Sequence, residues 1–268
     1  MLGLVPRLGR FAKERDGYLA GSDAQRAADF NDAARDPQVR GIFALRGGYG
    51  TMRILDAIAY DALAADPKVV LGYSDLTALL NVITQKTGLV TFHGPVAALS
   101  AFTERETAWL ARAVMRAEPM GELASAQTVV LSAGNARGRL CGGNLSLVTG
   151  LIGTPYEIDT TDSILVLEEV EEAPYRIDRM LTQMRLSGAL SRARGLLVGT
   201  CKNCDVDEEH PYAAMPLART LQDRLADLGK PVLMNVPVGH AGEQWTLPLG
   251  LEARIEEGRV FIDRPAVR

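Results

Sequence analysis

The sequence has little cysteine, little histidine and no long apolar run. Three thiols among 268 residues do not make a disulfide framework, which points to reduced cysteines and a cytoplasmic location. No apolar stretch approaches the roughly 18 residues of a membrane span. The opening "MLGLVPRLGRFAKERDG" lacks the apolar core and small-residue cleavage site of a secretory signal. A basic block is missing too. The 29 Lys and Arg are scattered among 33 Asp and Glu, for a net charge of −4, so no phosphate-facing patch for nucleic acid is in view. Internal repeats and low-complexity tracts are absent. What remains is a 47% hydrophobic, globular composition, long enough for one large domain or two modest ones.

Along the chain, Ser22 and Gln25 have capping-box spacing and open a short helix that Pro37 stops. "QVRGIFAL" reads as a strand, "RGGYG" as a glycine turn, and "TMRILDAIAYDALAAD" as helical by its apolar spacing. "PKVVLGY" and "DLTALLNVITQKTG" repeat the order strand, turn, helix, and "LVTFHGPV" adds a further strand. That alternation is the signature of a parallel sheet covered by helices. After the helix in "TERETAWLARAVMRAE" the texture changes to dense glycine and short apolar runs. A boundary between residues 115 and 130 follows, which divides the chain into 1–120 and 121–268. The second part has strands in "SILVLEE" and "RARGLLVGT", helices in "APYRIDRMLTQMRLSGAL" and "YAAMPLARTLQDRLADLG", then "KPVLMNVPVGH" and antiparallel strands to the end. The expected fold class is α/β: an N-terminal parallel-sheet domain lacking its first βα unit, and a smaller, strand-rich C-terminal α+β domain.

Three residues of complementary chemistry share one kind of position. Ser74 follows "VVLGY", Glu168 closes "SILVLE" and His240 closes "PVLMNVPVGH", each at the carboxyl end of an expected strand. Ligands bind open α/β sheets beyond those ends. A serine needs a neighbouring base, imidazole titrates near neutrality, and a carboxylate behind the ring fixes its tautomer. The Asp75 N–H, one residue past the serine, and a glycine N–H of "RGGYG", Gly47 or Gly48, are the oxyanion donors such a site requires. Taken singly, each residue also has an ordinary reading. By residue type Ser74 reads as an N-cap before it reads as a nucleophile, Glu168 as part of a solvated acidic run, and His240 as a loop histidine. "GYSDL" is not a G-x-S-x-G elbow, and "RGGYG" has neither dinucleotide spacing nor a P-loop lysine. A competing cluster, "CKNCDVDEEH", puts Cys201 and Cys204 ahead of His210. It admits a partial zinc site or a redox pair, or simply a variable loop.

The blocks "GIFALRGGYGTMRILD", "KVVLGYSDLTALL", "TFHGPV", "GGNLSLVTGLIGTP", "ILVLEEVEEAPYRIDRMLTQM" and "VPVGHAGEQWTLPLG", in this order, resemble the LD-carboxypeptidases of serine peptidase family S66. That family includes murein tetrapeptide carboxypeptidases and microcin C immunity peptidases. The resemblance spans about residues 3 to 260. It implies Ser74 as nucleophile, Glu168 and His240 as its partners, oxyanion donors similar to the Asp75 amide and a glycine amide of "RGGYG", a homodimer, and no metal or organic cofactor. It further implies release of terminal D-alanine from a murein tetrapeptide in cell-wall recycling. A peptidyl-nucleotide amidase and a non-catalytic muropeptide-binding member are the alternatives. A substrate with a terminal carboxylate calls for a cation, for which Arg46 and Arg176 are candidates, and Tyr73 is a candidate pocket wall. The chain departs from the family in starting beyond the usual first βα unit and in carrying Glu169 directly after Glu168. In a continuing strand these two side chains face opposite ways, and only one can reach His240.

Overall fold

The protein is described by a computed structural model that covers residues 3–97, 103–205, 215–240 and 242–268. The first half is built from short units. Helix α1 (Asp23–Arg35) starts at the Ser22–Gln25 capping box, formed in both directions. Strand β1 (Gly41–Phe43) leads through the glycine turn into a 3-10 helix at Thr51–Ala57 and then α2 (Tyr60–Ala65). Strand β2 (Val69–Gly72) runs into a 3-10 turn at Ser74–Leu76 and α3 (Thr77–Thr87). Gly88, at φ 73°, ends α3 in the left-handed conformation common past a helix C-terminus. Strand β3 (Thr91–His93) and α4 (Glu104–Met115), which has its own capping box, complete this half.

The second half holds β4 (Gly121–Leu123), β5 (Val129–Ser132), β6 (Ala136–Asn144), α5 (Leu145–Gly150), β7 (Ser163–Val170), α6 (Pro174–Leu186), α7 (Ala189–Arg192) and β8 (Gly195–Lys202). It continues with α8 (Leu217–Leu225), β9 (Val232–Gly239), β10 (Leu247–Leu249), β11 (Glu252–Glu256) and β12 (Arg259–Ile262).

Two sheets form among the described residues. The smaller has the order β1-β2-β3-β10, its first three strands parallel and β10 antiparallel to β3. The larger has the order β4-β12-β11-β6-β7-β8-β9-β5, with β6 to β9 parallel at its centre and antiparallel pairs on both flanks. The α/β class matches the alternation in the sequence, but the C-terminal part is not the smaller one. Its sheet has eight strands against four, and its central strands β7, β8 and β9 are eight residues long and buried along most of their length. Phe92, Leu80, Ile83 and Leu71 fill the core under the first sheet, and Leu140, Ile164, Leu196 and Val236 that of the second. No helix among the described residues is long and apolar enough to cross a membrane.

Strand β10 belongs by sequence to the C-terminal half, yet it pairs with β3 through Leu247 opposite His93 and Leu249 opposite Thr91. Helix α3 is tied to the second sheet as well. Asn81 accepts from the Gly142 N–H (2.8 Å) and donates to the Gly142 carbonyl (2.9 Å). Thr77 Oγ1 accepts from the Asn144 N–H at 3.0 Å. These buried bonds lock the helix that follows Ser74 onto the strand beside β7.

Candidate active site

Ser74 is not a helix cap. It is the first residue of the 3-10 turn, its hydroxyl makes no capping bond, and its φ is 63°. That left-handed conformation costs a side-chain-bearing residue about 1–2 kcal/mol, and such strain at a strand-to-helix turn marks places where the surrounding structure overrules local preference. The glycine turn lies directly against it. A β-carbon at Gly47 would fall 2.9 Å from Ser74 Oγ and 2.7 Å from Ser74 Cβ, so only glycine lets the two segments approach this closely. Among the described residues neither the Gly47 nor the Gly48 N–H has an acceptor. The Asp75 N–H opens the turn, while its buried carboxylate accepts from Thr51 N (2.8 Å) and Thr51 Oγ1 (2.5 Å). That side chain staples the end of the glycine turn to the turn carrying Ser74.

Glu168 and His240 meet through a cascade of register shifts. Opposite Glu168, β8 has two residues where β7 has one, because Leu167 pairs with Val198 and Glu169 with Cys201. Between β8 and β9 the register slips twice more, with Asn235 at φ 55° in the first slip. Bulges of this kind bend a strand and re-aim its side chains, and here they swing the end of β9 across β8 toward β7. His240 Nδ1 then lies 2.8 Å from Glu168 Oε2. Gly239 makes room for the carboxylate, since a β-carbon there would sit 2.8 Å from the same oxygen, and its φ of 117° suits glycine alone. Glu168 is fully buried and His240 mostly so. The Tyr73 ring packs on the His240 ring with 4.8 Å between centroids, which places His240 beside the residue preceding Ser74. Burial raises the Tyr73 phenol above its usual pKa, so it stays protonated at neutral pH. No hydrogen bond joins Ser74 to His240 here. Such contacts are often open until substrate binds.

Glu169 points the other way and has a different partner set. Its carboxylate accepts from Asn144 Nδ2 (2.8 Å), Ser146 N (2.8 Å), Ser146 Oγ (2.6 Å) and Val170 N (2.9 Å). Sequence reasoning saw Glu169 only as a rival to Glu168. The period-two alternation separates them, and the "GGNLS" stretch, with Asn144 as cap of α5, holds the signal for where Glu169 goes.

Of the remaining sequence candidates, Arg46 is exposed and has no ion pair or hydrogen bond among the described residues. Arg176 is paired with Glu172 at 3.2 Å and lines a shallow groove of about 390 Å³ between α5 and α6, together with Arg179 and Met180. The thiols of Cys201 and Cys204 are both pushed up by burial, Cys204 to about 11, so neither is a ready thiolate. His210, the third member of that cluster, lies outside the described residues.

The sequence and the fold have counterparts in known proteins. Residues 1–94 match the LD-carboxypeptidase N-terminal domain and residues 137–255 the LD-carboxypeptidase C-terminal domain. The chain is 39% identical to a probable murein peptide carboxypeptidase of Bacillus subtilis, over 94% of this chain and 80% of the relative. It is 31% identical to the murein tetrapeptide carboxypeptidase of Pseudomonas aeruginosa, over 96% and 86%. Among solved structures, MccF in complex with glutamyl sulfamoyl guanosine superposes with a TM-score of 0.88 at 22% identity, over 97% of this chain and 86% of that one. Muramoyltetrapeptide carboxypeptidase from Oxalobacter formigenes gives 0.80 at 29% identity, over 94% and 88%. With both of its domains matched and relatives of this identity covered along most of their length, the chain belongs to the LD-carboxypeptidase family.

Proposed function

We propose that the protein is a serine carboxypeptidase that removes the terminal D-alanine of a murein tetrapeptide, with Ser74, Glu168 and His240 as its catalytic triad. The observation that carries the reading is the Glu168–His240 hydrogen bond beside a serine held at positive φ. Glu168 orients the imidazole through Nδ1, which leaves Nε2 to take the Ser74 proton. The Ser74 oxygen attacks the carbonyl of the L,D bond, and the N–H groups of Asp75 and Gly47 or Gly48 receive the negative charge on the carbonyl oxygen. His240 then gives its proton to the leaving amine, D-alanine departs, and water activated by the same imidazole hydrolyses the acyl-enzyme.

Arg46 is the preferred anchor for the terminal carboxylate of the substrate. Among the described residues it is an unpaired cation, two residues from Gly48 in the turn packed against Ser74, whereas Arg176 is occupied by Glu172. The murein reading is also favoured over a peptidyl-nucleotide one by the higher identity to murein peptide carboxypeptidases than to the Escherichia coli microcin C7 self-immunity protein, 26% identical. Three substrates test this: the tetrapeptide, the same peptide with an amidated C-terminus, and a peptidyl-nucleotide. D-alanine should be released from the free acid only. Preferential cleavage of the peptidyl-nucleotide would overturn the assignment. Arg46→Gln should raise KM about tenfold or more, the usual scale for losing a charged hydrogen bond, and leave kcat nearly unchanged.

A further inference from the structure

His93 takes no part in the chemistry described above, yet it sits in the middle of the site. It is the last residue of β3, paired with Gly72 of β2 on one side and Leu247 of β10 on the other. Its ring stands edge-on to Tyr73 at 6.2 Å between centroids, and a β-carbon at Gly143 would lie 3.0 Å from its Cδ2. It is 1% exposed, and neither ring nitrogen has a hydrogen-bond partner among the described residues. Glu168 is in the same condition on one side, since His240 engages Oε2 while Oε1 is buried and unpartnered. Thr246 Oγ1, next to the strand partner of His93, is a further buried atom of this kind. Protein interiors rarely leave such groups unsatisfied, because each costs about 1–3 kcal/mol. His93 and Glu168 share neighbours: Gly143, against which the His93 ring lies, pairs with Leu167 next to Glu168, and the Tyr73 ring meets both His93 and His240. Buried polar groups without a protein partner are the setting in which a buried water makes its two to four hydrogen bonds.

We propose that His93 is a positioning residue for Glu168: its ring N–H, through one buried water, holds the carboxylate oxygen that His240 leaves free. This rests on the catalytic roles given above to Glu168 and His240. The water meets the imidazole on one side and the Glu168 carboxyl group on the other, with the second ring nitrogen left to accept. Burial pushes His93 below the usual histidine pKa, and the opposing pull of Glu168 does not reverse this, so the ring is neutral in the working pH range. The ionisable groups around it are Glu168 from β7, His240 beyond β9 and Tyr73 beyond β2. Strands β6 and β10 bring Gly143 and Leu247. Pinned at both oxygens, Glu168 has a single rotamer from which to orient His240. A donor on Oε1 also draws charge from the carboxylate and so tempers its hold on the imidazolium.

His93→Phe keeps the ring volume and removes the donor, and His93→Gln keeps a donor at similar reach. In the Phe variant kcat should fall about tenfold with KM unchanged. The His240 ring nitrogen signals, followed by NMR in a protein with only three histidines, should differ between this variant and the wild type. The Gln variant should restore most of both. Unchanged His240 nitrogen signals in the Phe variant, or equal impairment in the Gln variant, would overturn the proposal. The unmodified protein offers a test that needs no folded Phe variant. One His93 ring N–H should resist solvent exchange, and the His93 nitrogen signals should shift on Glu168→Gln, so that their failure to shift would equally overturn the link. If the wild type cleaves none of the peptides, the proposed function fails while the His240 nitrogen signals still decide the role of His93.

Discussion

Ser74 is held at φ 63°, and relieving that strain should separate stability from activity. Both Ser74→Gly and Ser74→Ala should lose turnover, but the glycine variant should be the more stable by about 1 kcal/mol, since glycine adopts this conformation freely. Thermal denaturation of the pair checks this, and an alanine variant at least as stable would argue that the turn is relaxed. The two glutamates give a second contrast. Glu168→Gln should lower kcat by several hundredfold or more, as loss of a triad carboxylate does, with a modest change in stability. Glu169→Gln should instead cost about 2–3 kcal/mol, because a buried carboxylate with four donors loses part of its partner set, and chemical denaturation measures it. At this scale much was legible in advance. Strand-end positions grouped Ser74, Glu168 and His240, although β7 runs on to Val170, two residues past Glu168, and period-two alternation separated Glu168 from Glu169. The positive φ of Ser74 was not legible, because serine has no intrinsic preference for it and the neighbouring segments impose it.

Elements carry the alignment between the two halves of the site. Helix α3 begins three residues after Ser74, and Asn81 joins it to β6 through both backbone groups of Gly142. Asn144, at the end of β6, is in register with Glu168. The position of the serine turn relative to the glutamate therefore passes through Asn81 and Thr77, which touch no reacting atom. Asn81→Ala should destabilise the protein by about 2 kcal/mol by stranding a buried N–H and carbonyl, and should lower kcat more than it raises KM. Wild-type kinetics in a folded Asn81→Ala protein would show that the alignment has other supports. The sequence marked these elements well, down to the Ser22–Gln25 capping box. It said nothing of the slips between β7, β8 and β9 that bring His240 to Glu168, because strand register depends on neighbours distant in the chain. Asn235 at φ 55° is the local trace of one slip, and asparagine tolerates that conformation without requiring it.

For the whole molecule, the contribution of β10 to the first sheet makes the two halves interdependent. A three-residue "LPL" strand carries no sequence signal for which sheet it will join, and its pairing with β3 beside His93 emerged only from the fold. Burial of that histidine has a consequence for global stability. Its pKa is depressed in the folded state, so below about pH 6.5, the ordinary histidine value, the unfolded chain binds a proton that the folded protein does not. Stability should therefore fall as pH drops below that point, by up to about 1.4 kcal/mol per unit from this group, and be insensitive to it above. His93→Gln should show a shallower decline between pH 7 and 5.5 in urea unfolding, and an equal decline would place the acid sensitivity elsewhere.

The most direct test of the account is mass spectrometry of a murein tetrapeptide incubated with the wild-type protein and with Ser74→Ala. Loss of one terminal alanine in the wild-type reaction alone is the predicted result. Equal loss in both, or none in either, would contradict the assignment of Ser74 as the nucleophile of an L,D-carboxypeptidase.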